Sequence, residues 1–192
     1  MPRVQPLRTR DDVGRFRAEL ARGRCGTRDV ALFTVGINTA FRISDLLAMD
    51  VKDVRDPSGR VRDSVTLRET KTRKRRAVPL NASARRALED WLAARPGAAP
   101  GEPLFPTTLK RGGRLSRRTV HKRYAAAAAA LGLDAIGTHT LRKTFGLFLY
   151  EASGREAALV QKALRHSSPA TTLAYIGLTD GMVDDAVRGL NL

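Results

Sequence analysis

The segment THTLRKTFGLFLY, residues 138–150, combines a helical apolar pattern with two side chains that can bind an anion. Its apolar residues recur at the spacing of one helix face: Leu141, Phe145, Phe148 and Leu149. This pattern predicts a helix that Thr138 would cap. His139 and Arg142 are three residues apart and share a face of that helix, so both can point at one phosphate group.

A second string, LRHSSPATTLAYI at residues 164–176, carries a histidine and a tyrosine nine residues apart. Ser168 is a typical N-cap residue, and Pro169 suits the first position of a helix. The helix that begins there would place Tyr175 about two turns from its start. His166 lies just before the cap, where the preceding predicted helix ends.

Two earlier strings add polar residues in a defined order along the chain. NTAFRISDLL, residues 38–47, contains Arg42 with Asp45 three residues later, and ETKTRKRRAVPL, residues 69–80, contains Lys71. Taken alone, each residue has an ordinary explanation, such as a salt-bridged arginine or a solvated basic turn. Because short motifs occur by chance, the order of all of them together is the informative feature.

In that order the strings resemble the catalytic domain of the tyrosine recombinase (phage integrase) family, from about Thr27 to Leu178. The family pattern is arginine, lysine, His-x-x-Arg, histidine or tryptophan, and tyrosine, and every position is filled. The resemblance implies a site-specific DNA recombinase that cuts one strand through a 3′-phosphotyrosyl bond and rejoins it to a partner, without a metal or other cofactor. The implied catalytic residues are Arg42, Lys71, His139, Arg142, His166 and Tyr175.

The chemistry of these residue types agrees with that assignment. A phosphodiester under attack becomes more negative, and two guanidinium groups can bind its non-bridging oxygens bidentately. A tyrosine with its ordinary pKa of about 10 needs a cationic pocket or a general base, and His139 among the arginines could supply either. Lys71 would then protonate the departing 5′-hydroxyl, and His166 would hydrogen-bond the phosphate. Lys74 is an alternative to Lys71 as the catalytic lysine.

Asp45 matches an acidic position of the family and would hold Arg42 or His139 in place. The family usually has glycine at four positions that differ in this sequence: Ala40, Thr70, Thr72 and Arg165. If the turn before His166 requires a positive φ, a residue other than glycine is strained there or the turn differs.

The patterns predict one α+β domain, mostly helical, with a small three-stranded antiparallel sheet. Residues 27–49 read as two helices separated by a turn at 36–39, and residues 51–80 read as the short strands VKDV, RVRDSVTLRE and RAVPL. The predicted divisions are a flexible lead-in over 1–10, a catalytic domain over 11–178 and a C-terminal helical tail over 179–192. The tail would pack on its own domain or, as we favour, on a neighbouring protomer.

The charge of the chain predicts double-stranded DNA as the partner. The sequence has 35 Lys+Arg against 19 Asp+Glu, a formal net charge of +16, and such a protein attracts polyanions. The expected DNA contacts are Lys74, Arg75, Arg76, Arg114, Arg117, Arg118, Lys122 and Arg123, with a merely solvated basic face as the alternative. One cysteine and the lack of a long apolar run predict a cytoplasmic protein outside the membrane.

About 26 residues precede the first predicted catalytic helix, whereas most of the family places a helical core-binding domain there. The resemblance is therefore to short, single-domain members of the fimbrial-switch invertase kind, expected to act as a homotetramer on DNA with weak self-association off DNA. Two alternatives stay open at this point. One is a relaxation enzyme of the type IB topoisomerase kind, and the other is a non-catalytic DNA-binding regulator with the same fold.

Overall fold

The computed structural model describes residues 4–68, 75–109, 112–177, 184 and 187–190. Within these ranges the predicted mostly helical α+β class is confirmed. The elements are α1 Arg10–Ala21, α2 Gly26–Thr39, α3 Ile43–Ala48, α4 Val51–Val54, β1 Ser64–Arg68, β2 Arg75–Pro79, α5 Ala82–Ala93, α6 Arg117–Ala130, α7 Thr140–Ala152, α8 Ala157–Leu164 and α9 Pro169–Ile176.

The sheet of the described residues has two strands rather than three. Strands β1 and β2 pair antiparallel with Val65 opposite Val78, and both side chains are buried. The strand predicted for VKDV at 51–54 is wrong, because this segment forms the single helical turn α4. Asp50 and Asp53 form a reciprocal capping box around that turn, and such a box satisfies backbone donors that a strand would have paired in a ladder.

The turn predicted at 36–39 is also wrong, because α2 runs unbroken through Gly36 and the chain turns at Ala40 instead. A Cβ atom on Gly36 would lie 2.7 Å from Cδ1 of Leu141. Gly36 therefore allows α2 to pack closely against α7, and it does not bend the chain. This contact brings the end of α2, and the arginine that follows it, next to α7.

Two apolar clusters hold the helices together. The larger one includes an aromatic group from α1, α2 and α6, in which the ring centroids of Phe16 and Phe33 are 5.2 Å apart and Tyr124 packs edge-on against both. The smaller cluster is centred on Ala40, Val160, Leu164 and Ile176. Tyr175 packs on the smaller cluster, so the position of α9 depends on it.

Three helices in the second half of the chain begin at asparagine or serine, which are typical N-cap residues. The side chains of Asn81, Ser116 and Ser168 each accept a hydrogen bond from a backbone N–H in the first turn of α5, α6 and α9. For α7, however, the N-cap position is His139 rather than Thr138. Of the C-terminal tail predicted over 179–192, the structure describes residues 184 and 187–190.

The predicted flexible lead-in is wrong for residues 4–10. Leu7 is only 1% exposed, and its N–H donates to Oγ1 of Thr144 on α7 at 2.9 Å. The hydroxyl of Thr140 donates to the Gln5 carbonyl at 2.8 Å, and the Gln5 N–H donates to the carbonyl of Ala135. A polar sequence with two prolines lacks helical periodicity but can still lie extended along a helix and bury one leucine.

Two residues that replace the family's glycines adopt the left-handed backbone conformation. Ala40, the C-cap of α2, has φ 56°, and Arg165, the C-cap of α8, has φ 51°. For a residue with a Cβ atom this conformation costs about 1–2 kcal/mol. The chain therefore keeps the backbone geometry of glycine at both turns without having glycine.

We predict that Arg165→Gly is more stable than Arg165→Ala by about 1 kcal/mol, because glycine removes the strain of the left-handed cap. Urea unfolding of both variants measures the difference. Both substitutions remove the guanidinium, so the comparison isolates the backbone. Equal stabilities would contradict a left-handed conformation at residue 165.

We also predict that Leu7→Ala lowers the free energy of unfolding by about 2–4 kcal/mol, because it empties a packed site between the lead-in and α7. The matched control is Leu109→Ala, since Leu109 is 89% exposed. It should change the free energy of unfolding by less than about 0.5 kcal/mol. Indistinguishable values for the two variants would show that residues 4–10 are not anchored.

Candidate active site

Arg142 is the most deeply buried of the predicted catalytic residues, at 4% exposed. Its Nη1 donates to the carbonyl of Ala40 at 2.5 Å, and its Nη2 donates to the carbonyl of Leu164. These acceptors lie at the C-terminal ends of α2 and α8, where the left-handed caps leave carbonyls without helical partners. One side chain of α7 therefore joins the ends of two other helices.

Arg42 occupies the N-cap position of α3, in extended backbone conformation directly after the Ala40 turn. It is half-buried, and its positive charge lowers the pKa of His139, of His166 and of Tyr175. Arg42 thus lies within electrostatic reach of all three groups. Asp45 is buried in the first turn of α3, and its expected role in holding Arg42 or His139 stays a prediction.

His139 stands at the start of α7, with its side chain at the surface. The pKa of its imidazole is lowered, first by partial desolvation and then by the positive charges of Arg117, Arg142, Lys143 and Arg42. A histidine with a lowered pKa is neutral at pH 7. His139 can therefore accept a proton in this site.

His166 lies between α8 and α9 and is half-buried. Its Nδ1 is 3.1 Å from the hydroxyl of Thr172, and its ring meets the ring of Tyr175 edge-on at a centroid distance of 4.8 Å. Desolvation, followed by the charges of Arg142 and Arg42, lowers the pKa of His166 to about 4. The imidazole is thus a neutral hydrogen-bonding group at pH 7.

Tyr175 is half-buried near the end of α9. Burial raises the pKa of its phenol, while the charges of Arg142 and Arg42 and a hydrogen bond with Arg142 act in the opposite direction. The net shift is upward, so the protein alone holds Tyr175 as a phenol. The phenol nevertheless lies among positive charges that favour its ionised form. A tyrosine that acts as a nucleophile must lose its proton.

The structure brings together five of the six predicted catalytic residues, from four parts of the chain: Arg42, His139, Arg142, His166 and Tyr175. Lys71 and its alternative Lys74 lie outside the described residues, so the catalytic lysine stays a prediction. Sequence reasoning missed Lys143, whose Nζ is 5.4 Å from the centroid of the Tyr175 ring. Its spacing of four residues from His139 was the available signal.

The expected DNA-contacting residues fall into two groups. Arg117, Arg118 and Lys122 are exposed near the start of α6, and the effect of Arg117 on the pKa of His139 places this surface beside the site. Arg75 is exposed on β2. The side chain of Arg76 lies outside the described part of the chain.

Arg114 and Arg123 differ, because both are engaged within the protein. Arg114 donates to three backbone carbonyls at the end of α3 and pairs with Asp50 at 2.7 Å. Arg123 pairs with the buried carboxylate of Asp29. Arg114 therefore closes a helix end and Arg123 neutralises a buried charge, while a DNA contact of either residue stays a prediction.

The described residues contain no group of three or more histidine, cysteine, aspartate or glutamate side chains placed to hold a metal ion. Nor do they include a helix that is long and apolar enough to cross a membrane.

Known proteins are similar to this chain over different fractions of their own length. The probable integrase/recombinase YoeC of Bacillus subtilis (strain 168) is 36% identical over 177 residues, which is 92% of this chain and 91% of YoeC. The tyrosine recombinase XerC of Neisseria meningitidis serogroup C / serotype 2a is 35% identical over 153 residues. That match covers 79% of this chain but 47% of XerC, so the chain spans about half the length of that relative.

Solved structures agree with the fold. The XerA recombinase matches with a TM-score of 0.73 at 22% identity, covering 98% of this chain and 66% of XerA. The XerH site-specific recombinase bound to its difH substrate matches with a TM-score of 0.69 at 22% identity, covering 97% of this chain and 54% of XerH. The model of the phage integrase family matches residues 8–181. With that match and the identity to YoeC across nearly the whole of both chains, this protein belongs to the phage integrase family.

Proposed function

We propose that this chain is a site-specific DNA recombinase that cuts one strand of double-stranded DNA with Tyr175 and rejoins it to a partner strand. The observation that carries the proposal is the hydrogen bond between Tyr175 and Arg142 inside a cluster of cations and neutral imidazoles. Such a cluster attracts anions. A DNA phosphate bound there would lie beside the nucleophile.

The cleavage step conserves atoms and charge. The phenol oxygen of Tyr175 attacks the phosphorus, a new P–O bond to tyrosine forms, and the bond from phosphorus to the 5′-oxygen breaks. His139, neutral at pH 7, takes the phenol proton, and the 5′-oxygen receives a proton from the lysine expected at position 71. Because the product is again a phosphodiester, attack by a 5′-hydroxyl from a second strand reverses the step and joins the strands.

The two arginines would stabilise the charge that develops on the phosphate. A guanidinium has five N–H donors, and Arg142 uses two of them on the carbonyls of Ala40 and Leu164. Those two bonds fix its plane before substrate arrives, and donors fixed in advance stabilise a transition state more than mobile ones. Arg42 would supply the second guanidinium, and His166 a hydrogen bond.

DNA as the partner is supported by the exposed cations beside the site and by the relatives, among them XerH, whose structure holds its difH substrate. We propose a basic surface consisting of Arg75, Arg117, Arg118 and Lys122. We further propose that the active assembly is a homotetramer on two DNA sites, since exchange requires two sites to be cut together. The proposed location is the cytoplasm, at the DNA.

We predict that Tyr175→Phe abolishes a covalent protein–DNA adduct that the intact protein forms. Tagged protein would be incubated with a library of random-sequence duplexes, denatured and washed, and the DNA that stays attached would be sequenced. Tyr150→Phe is the matched control, because Tyr150 packs on the same apolar cluster and should retain the adduct. Failure of the intact protein to capture any DNA would favour the non-catalytic regulator.

The captured sequences then allow the reaction type to be tested. With two duplexes that carry the site, we expect products in which strands from different duplexes are joined. Relaxation of a supercoiled plasmid with one site, without any joining of strands from different duplexes, would instead indicate an enzyme of the type IB topoisomerase kind.

A second prediction concerns the salt dependence of DNA binding. The slope of log affinity against log salt changes by about 0.9 for each phosphate contact, so Arg118→Gln should make it less steep by about 0.9. Arg114→Gln should leave the slope unchanged and lower the free energy of unfolding by about 1–3 kcal/mol, since it orphans carbonyls at the end of α3. Fluorescence anisotropy with one duplex, from about 50 to 200 mM salt, measures the slope for both variants. Urea unfolding measures the stability of Arg114→Gln. A reduced slope in Arg114→Gln would place this residue on the DNA surface.

A further inference from the structure

Lys143 has an unusual environment for a lysine. Its side chain is only 6% exposed, in the first turn of α7, next in sequence to Arg142 and one helical turn beyond His139. Burying an ammonium group is costly unless its surroundings use the charge. The mechanism above does not use Lys143, and neither does the six-residue family pattern.

The ammonium group faces the nucleophile. Nζ of Lys143 lies 5.4 Å from the centroid of the Tyr175 ring, within the range of a cation–π interaction. The phenol group of the same tyrosine hydrogen-bonds Arg142, and its ring meets the ring of His166. The tyrosine thus has one cation at its hydroxyl group and another over its ring.

We propose that Lys143 is a positioning residue that holds the ring of Tyr175 and stabilises its phenolate, the form that attacks phosphorus. When the phenol loses its proton, negative charge spreads from the oxygen into the ring, and the attraction to a nearby ammonium increases. Because Lys143 is buried and Tyr175 is half-buried, water screens that attraction less than it would at the surface. The use of this phenolate in DNA cleavage rests on the proposed function.

Other charged or titratable groups also surround Tyr175. The charges of Arg142 on α7 and of Arg42 at the start of α3 act on its phenol, and the ring of His166 meets its ring. His139 lies one turn before Lys143 on α7, and the guanidinium of Arg8 approaches Gly177 at the end of α9. Lys143 differs from Arg142 because it lies over the ring, whereas Arg142 hydrogen-bonds the oxygen. Its contribution can therefore be removed while the Arg142 bond is kept.

The test measures the pKa of Tyr175 directly, in the protein without DNA. Protein labelled with 3-fluorotyrosine is titrated by fluorine NMR, and Tyr175→Phe identifies the signal. Lys143→Met, which keeps the apolar stem but removes the charge, should raise the pKa of Tyr175 by about one. Lys143→Arg, which keeps the charge, should leave it within about 0.3 of the original value.

Lys162→Met is the matched control, because Lys162 is an exposed lysine of α8 and its removal changes the net charge equally. It should not alter the pKa of Tyr175. If Lys143→Met does not fold, Lys143→Gln serves in its place. An unchanged pKa in the neutral variants, or an equal rise in Lys162→Met, would overturn the proposal.

A kinetic measurement separates this role from that of a proton donor. At pH 7 a rise of one in the pKa means about tenfold less phenolate, so Lys143→Met should slow single-turnover cleavage about tenfold and shift its alkaline rise to higher pH. A substrate with sulfur in place of the bridging 5′-oxygen departs without a proton. The defect should persist on it, whereas full rescue would make Lys143 the acid and overturn the proposal.

The covalent-adduct experiment and the titration of Tyr175 test different claims. If Tyr175 forms no covalent adduct with DNA, the proposed function fails while the titration stays interpretable. If the adduct forms but the pKa of Tyr175 does not depend on Lys143, only the further inference fails.

Discussion

The arrangement of the site depends on the two bonds that Arg142 donates to the carbonyls of Ala40 and Leu164. The first carbonyl fixes the turn that presents Arg42, and the second fixes the end of α8, after which His166 follows. Both carbonyls are buried acceptors that α2 and α8 cannot satisfy themselves. Removal of this guanidinium would therefore disorganise the neighbouring candidate catalytic groups as well as remove the proposed phosphate ligand, and a loss of activity on its own would not distinguish the two effects.

A second constraint is the accumulation of positive charge around a half-buried phenol. The lowered pKa values of His139 and His166 show that these positive charges and partial burial favour the neutral form of both imidazoles. This shift makes the stability of the fold depend on pH. The pKa of His166 is about 4 in the folded protein and near 6.5 in the unfolded chain. Its contribution to stability is therefore complete above pH 6.5 and is lost as the pH falls through 4. His166 therefore contributes more to the stability of the fold at neutral pH than at pH 4.

The sequence predicts the chemistry of the site better than its packing. The order of Arg42, His139, Arg142, His166 and Tyr175 could be read from local strings, as could the caps at Asn81 and Ser168, because each is encoded within a few residues. Gly36 was misread as a turn because the role of a glycine that admits Leu141 appears only when α2 and α7 meet. The internal bonds of Arg114 and Arg123 could not be predicted for a related reason, since a sequence shows that an arginine is charged but not that a distant carboxylate or helix end binds it. Residues 4–10 lack periodicity, and only the structure shows that α7 supplies their partners.

The attachment of the lead-in to α7 makes the helix that carries His139 and Arg142 mechanically continuous with the start of the chain. Leu7 and Gln5 are tied to Thr144 and Thr140, side chains on the same helix. A fused protein or a surface tether joined ahead of residue 4 would therefore transmit force to the helix that carries these candidate catalytic residues. Labels and immobilisation points for single-molecule work are for that reason better placed elsewhere, for example at the exposed Leu109.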